Sequence, residues 1–159
     1  MHLKTKKAFT MMELIFVIVI IGILSSVAIP KFAATRDDAD ITKAIATVAA
    51  VRNSISTERQ KRILRGNFTP IGDLALANGA NKPIFDFYDQ NNTLPVLEYP
   101  LRACLDINAR GCWISTANTS YTYRMPHNTN NITFTLAGSR FSCDGENAIT
   151  GSDCRMLTE

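Results

Sequence analysis

Histidine is almost missing from this 159-residue chain: His2 stands near the start and His127 lies in the polar stretch Pro126 to Asn131. With neither in an apolar setting, no Ser-His or Cys-His pair is available for nucleophilic catalysis, and no enzyme is expected. Cysteine is missing from the first 103 residues, and the four present, Cys104, Cys112, Cys143 and Cys154, include no C-x-x-C pair. That spacing excludes the common zinc sites and a thioredoxin-like redox motif. A charge surplus is missing too. Lys and Arg number 17 against 14 Asp and Glu, but Lys4, Lys6 and Lys7 fall in the first eight residues, and the remainder balances. A protein that neutralises nucleic-acid phosphates carries its surplus in the folded part, so nucleic-acid contact is expected to be absent or indirect. There is no internal repeat or low-complexity tract, and no cofactor is expected. Asp144, Gly145, Glu146 and Asn147 offer oxygens without the EF-hand spacing, which favours a plain polar turn over calcium.

What the chain does contain is a long apolar run. From Phe9 to Ile29 the only charge is Glu13. Those residues, at about 1.5 Å each, reach across a hydrocarbon layer of about 30 Å, which predicts a transmembrane helix. The basic leader stays in the cytoplasm by the positive-inside rule, and the chain after Ile29 lies outside. A secretory signal cleaved after Ser26-Val27-Ala28 is the competing reading. Its apolar core is usually about 7 to 15 residues, a charge such as Glu13 is unwanted there, and Pro30 would follow the cut directly. Glu13 itself asks for a function, because a carboxylate at the bilayer centre costs about 2.5 to 3.5 kcal/mol. Gly22 and Pro30 are expected to weaken the helix.

Beyond Pro30 the helical pattern continues. Ile41, Ala44, Ile45, Val48, Val51 and Ile55 recur at three- and four-residue spacing with Asp38, Lys43, Arg52 and Asn53 between them, which predicts an amphipathic helix. Asp37, Asp38 and Asp40 open it, whereas Arg59, Lys61, Arg62 and Arg65 crowd its end before Gly66. That order suits the helix dipole and a glycine stop, and it accounts for the basic cluster without nucleic acid. Read without a break, residues 9–65 make about 85 Å of helix, too long for an ordinary globular domain and suited to a fibre spine.

Pro70, Gly72, Gly79, Pro83, Pro95 and Pro100 break the next stretch, leaving room for one short helix around residues 71–77. Strands are predicted at 112–115, 121–125, 132–137 and 140–143, as an antiparallel meander. Ile132, Phe134 and Leu136 alternate with Thr133 and Thr135, so one face packs on the amphipathic helix. The fold class is therefore α+β, a long N-terminal helix against a C-terminal antiparallel sheet. Four cysteines allow three connectivities. The one closing the shortest loops joins Cys104 to Cys112 and Cys143 to Cys154, with Cys112 across the sheet to Cys143 as the alternative. In an exported domain these are expected as disulfides. Asp89-Gln90-Asn91-Asn92-Thr93 resembles an acidic bacterial glycosylation sequon centred on Asn91.

The residues Lys6-Lys7-Ala8-Phe9-Thr10-Met11-Met12-Glu13-Leu14-Ile15, with Ile20-Ile21-Gly22-Ile23-Leu24 and Ala28-Ile29-Pro30 behind them, resemble the processing site of type IV prepilins and type II secretion pseudopilins. The likeness covers residues 1–35. It implies that a prepilin peptidase cuts between Ala8 and Phe9 and methylates the new amine of Phe9. It also implies that Glu13 then pairs with the amine of a neighbouring subunit, and that the fold is pilin-like. Ala8 stands where the family usually has glycine, and Met11 where leucine is common. The expected layout is a leader at 1–8, a transmembrane and fibre-core helix at 9–29, its amphipathic continuation at 30–66 and a periplasmic globular region at 67–159. The expected partners are homologous pilin or pseudopilin subunits, the peptidase and an inner-membrane assembly platform. The function implied is a structural fibre subunit serving secretion, a pilus or DNA uptake. The alternative is a periplasmic binding or adhesion module on a single-helix anchor.

Overall fold

The structure, a computed structural model, describes residues 9–91 and 93–159. Helix α1 runs over Met11–Leu64 with Pro30 inside it. It is followed by β1 (Pro83–Ile84), a short 3-10 turn (Tyr88–Gln90), β2 (Leu101–Arg102), β3 (Cys112–Ala117), β4 (Ser120–Arg124), β5 (Asn131–Ala137), β6 (Arg140–Cys143) and α2 (Gly151–Thr158). The chain divides into two units, one ending at Arg36 and one starting at Asp37. In the first, the side chains from Leu14 to Ile29 are almost all exposed, and the segment is long and apolar enough to cross a membrane.

The second unit is α+β, as the sequence pattern predicts. Strands β3, β4, β5 and β6 form an antiparallel meander in sequence order, and β1 pairs with β2 in a separate two-stranded ribbon. The alternation in β5 buries Ile132, Phe134 and Leu136 and exposes the residues between them. Against that face lie Ala44, Val48, Val51 and Ile55 of α1, all buried, with Ile41 and Ile45 at the margin. An aromatic cluster fills the middle: Phe134 stacks on Phe141 at 4.9 Å, and Trp113 lies 5.2 Å from Tyr123 and 5.4 Å from Phe85. Such rings bury a large apolar area each and fix one packing arrangement.

Two chain reversals explain local sequence choices. At the end of α1 the N–H of Gly66 donates to Ile63 O and that of Asn67 to Arg62 O, with Gly66 at φ 76°. This is a Schellman close, which a residue with a β-carbon forms poorly. The β5–β6 hairpin turns on Gly138 and Ser139, both at positive φ, the two-residue geometry that matches strand twist.

The structure differs from the sequence expectation in two places. Residues 71–77 form no helix. They are an irregular, pinned loop, because Asp73, Asp86 and Asp89 supply carboxylate acceptors to the amides of Gly72, Asp73, Ala75 and Leu76, an alternative to helical bonding. And α2, which the sequence pattern did not signal, closes the chain, burying Cys154 and Leu157.

Candidate functional site

The first helical turn begins with Thr10. Its Oγ1 accepts from the backbone N–H of Glu13 at 3.2 Å, and Leu14 N–H bonds Thr10 O at 3.2 Å. Thr10 is therefore the N-cap, and Thr10-Met11-Met12-Glu13 has the residue pattern of a capping box. The sequence carried this signal in its Thr-x-x-Glu spacing. The cap fixes where the helix starts and so sets Glu13 in its first turn. Phe9 is itself 78% exposed, outside the helix. Ala8, the other expected processing residue, lies outside the described residues.

The Glu13 side chain is exposed between Met12, Ile15 and Phe16, all large apolar groups more than half exposed. Among the described residues it forms no ion pair and no side-chain hydrogen bond. A helix N-terminus already favours a nearby carboxylate, since the first four N–H groups point at it. The arrangement is a negative charge in an apolar surface, without a cation partner among the described residues.

In the second unit, Arg62 lies in the last turn of α1, as the sequence predicts, and also turns inward. It is 8% exposed, with Nε donating to Glu58 at 3.0 Å and Nη1 to Asp89 at 2.6 Å. Burial pulls its pKa down, but the bonds to Glu58 and Asp89 outweigh this and hold it above the ordinary value. Asp89 also accepts from the amides of Gly72 and Asp73, so one carboxylate ties the helix end to the loop. Tyr88 beside it is pushed up to about 12, first by burial, with a hydrogen bond to Ser54 opposing.

Arg52 and Arg59 behave differently. Arg52 Nε donates to Phe141 O at 3.0 Å and Arg59 Nη1 to Thr69 O at 2.8 Å, both neutral carbonyls. Burial lowers the Arg52 pKa, and no carboxylate offsets it. With Arg140, Ser56 and Gln60 they line a groove of about 520 Å³ between α1 and the β5–β6 hairpin.

The cysteines are joined Cys104 to Cys112 and Cys143 to Cys154, with Cα separations of 5.3 and 6.0 Å. The first bridge closes the loop before β3. The second ties β6 to α2, a helix that pattern reasoning missed. Asp144 and Asn147 spend their side-chain oxygens on the amides of Glu146, Ile149 and Thr150, as in Asx turns. Among the described residues no group of three or more His, Cys, Asp or Glu is placed to hold a metal ion. Asn91 is exposed and its Oδ1 accepts from the amide and hydroxyl of Thr93 at 3.1 and 2.7 Å; Asn92 lies outside the described residues.

Comparison with known proteins places these features. The family described as the prokaryotic N-terminal methylation motif matches residues 3–29. The chain is 48% identical over 59 residues to the type IV narrow pilus major component PilA5 of Thermus thermophilus, covering 36% of this chain and 51% of that protein. It is 31% identical over 83 residues to type II secretion system core protein G of Aeromonas hydrophila, covering 52% and 55%. It is 36% identical over 64 residues to a fimbrial protein of Pseudomonas aeruginosa, covering 40% and 39%. The chain thus spans about half the length, or less, of the curated relatives it matches. No solved structure matches it.

Proposed function

We propose that the chain is a member of the type IV pilin and type II secretion pseudopilin family: a structural, non-catalytic subunit of a pilus-like or pseudopilus fibre, held in the bacterial inner membrane before assembly. The leader 1–8 stays cytoplasmic, residues 9–29 span the bilayer, and the region after the helix lies in the periplasm. A prepilin peptidase removes the leader between Ala8 and Phe9. The fibre serves protein secretion or DNA uptake, and subunits are added from an inner-membrane platform.

The observation that carries this reading is Glu13: a carboxylate at the capped start of an apolar helix, with no cation partner among the described residues. In a membrane or a dry fibre core such a charge is costly, and it persists where a partner exists. Cleavage at Ala8 creates that partner, the amine of Phe9. A subunit's own Phe9 lies four residues from Glu13, and Glu13 pairs instead with the amine of a neighbouring subunit. The contact therefore repeats from copy to copy.

The test is Glu13→Ala and Glu13→Gln, each expressed with the peptidase and assembly machinery. Membrane insertion and leader removal are expected to stay normal, because losing a charge eases insertion. Fibre yield is expected to collapse in both, since Gln keeps the shape and loses the charge. Wild-type fibre yield from Glu13→Ala would remove the ion-pair mechanism and favour a simple anchor.

A further inference from the structure

Resting on the fibre-subunit reading, we propose that the Arg52–Arg59–Arg140 groove is the docking site for Asp37 and Asp38 of a second copy of this chain, and that this contact sets the axial register between subunits. The groove is basic by construction. Arg52 and Arg59 are oriented by the main-chain oxygens of Phe141 and Thr69, which fix their guanidinium groups without neutralising them. Arg140, at the start of β6, is exposed. Among the described residues none of the three forms an ion pair, and no carboxylate lines the groove. Guanidinium groups stay charged in any such setting and pair with carboxylates through two parallel bonds.

The complementary surface lies on the same helix. Asp38 is exposed and Asp37 half-buried, and neither makes a side-chain hydrogen bond or ion pair among the described residues, whereas Asp40 is held by Lys43 at 3.4 Å. The Asp37 side meets the sheet near Tyr123, whose pKa is raised by burial and then by the charges of Asp40 and Asp37. The two charged patches are separated along α1 by about 20 to 33 Å, taking residues 37–38 against residues 52–59 at about 1.5 Å each. Patches of opposite sign offset along one axis cannot satisfy each other within a chain. They can do so between copies displaced by that offset, and a displacement repeated in one sense gives an open filament rather than a closed dimer. Charge pairs of this kind contribute specificity and register more than raw affinity.

Charge reversal tests it in full-length protein with the peptidase and assembly machinery present. Asp38→Arg and Arg140→Glu alter exposed side chains with no intramolecular bond, so processed subunit in the membrane is expected at the wild-type level. Each alone is expected to lower fibre yield about tenfold by placing like charges together. Combined in one chain, the two are expected to restore yield to within about twofold, since positions 38 and 140 again carry opposite signs while Asp37 still has Arg52 and Arg59 to meet. Loss in both singles without restoration in the combination would overturn the pairing. So would a loss confined to Arg140→Glu, which would assign the groove to another anionic partner such as nucleic acid. Normal yield from both singles would also overturn it. The underlying fibre reading fails separately, if the wild-type chain is processed and yields no fibre.

Discussion

Tyr121→Phe removes one oxygen from the centre of the second unit and keeps the ring, so its cost isolates a hydrogen-bond network. Tyr121 is completely buried. Its hydroxyl accepts the Leu74 amide at 2.7 Å and reaches Asp73 Oδ1 at 2.9 Å and Asn118 O at 2.6 Å, donating its single proton between them. Burial, with the Asp73 charge adding to it, drives its pKa well above the ordinary tyrosine value, so the group is a neutral donor at any physiological pH. In the variant, the buried Leu74 amide has no acceptor, while Asp73 keeps the Ala75 amide and Gln90. An orphaned buried donor costs about 1 to 3 kcal/mol, and losing a bond to a charged group about 1.5 to 3. The sum, taken with overlap, is about 2 to 4 kcal/mol of a stability that is about 5 to 15 for a domain. The assay is denaturant unfolding of the full chain in detergent, followed by tryptophan fluorescence of Trp113, which packs 5.2 Å from Tyr123. The midpoint is expected to fall with an unchanged slope. Tyr123→Phe, which loses one bond to the Asp40 carbonyl, is the control and is expected to cost about 1 kcal/mol. A Tyr121→Phe shift no larger than that of the control would refute the network argument.

Arg62→Ala strands the buried Glu58 carboxylate and is expected to cost about 3 to 5 kcal/mol in the same assay, whereas a solvated helix-end arginine would cost almost nothing. Replacing Cys143 and Cys154 with serine opens an 11-residue separation and is expected to cost roughly 2.5 to 3 kcal/mol by the loop-entropy estimate, read as a lower midpoint and faster proteolysis near α2. Gly151→Ala places a β-carbon 2.5 Å from the Gly145 carbonyl oxygen, so the turn before α2 must shift, and a raised hydrogen-exchange rate over residues 145–158 is the expected readout. Tyr88 is pushed up to about 12, and the raised folded value means that the neutral form is the one the fold stabilises. Its contribution is complete below about pH 10, the unfolded value, and is lost as pH rises toward 12, so the midpoint is expected to hold to pH 10 and fall above it.

The long helix, its buried stripe and the meander were legible because each rests on periodicity. Ala44, Val48, Val51 and Ile55 repeat at helical spacing, and β5 alternates residue by residue over its whole length. What escaped depended on contacts distant in sequence. Asp73, Asp86 and Asp89 look like ordinary loop acids, yet they organise residues 71–76, and Asp89 also receives Arg62 from the helix end. Nothing in a single sequence says that Arg62 turns inward while Arg59 binds a carbonyl. The eight-residue α2 was missed because its apolar residues are too few to show a period, and its position is fixed by the Cys143–Cys154 bridge. At the N-terminus, the Thr10-to-Glu13 cap was present as a spacing, but its meaning came from the helix start that the structure supplies.

The central claim is that this chain is a processed fibre subunit, and the mass of its N-terminal peptide tests that most directly. The chain is expressed with a prepilin peptidase, membranes and sheared fibres are collected, and the first residue is identified. The account predicts a start at Phe9 carrying a methylated amine, in the fibres and in the processed membrane pool alike. A start at Ile29, or fibres in which Lys7 and Ala8 remain, would contradict it.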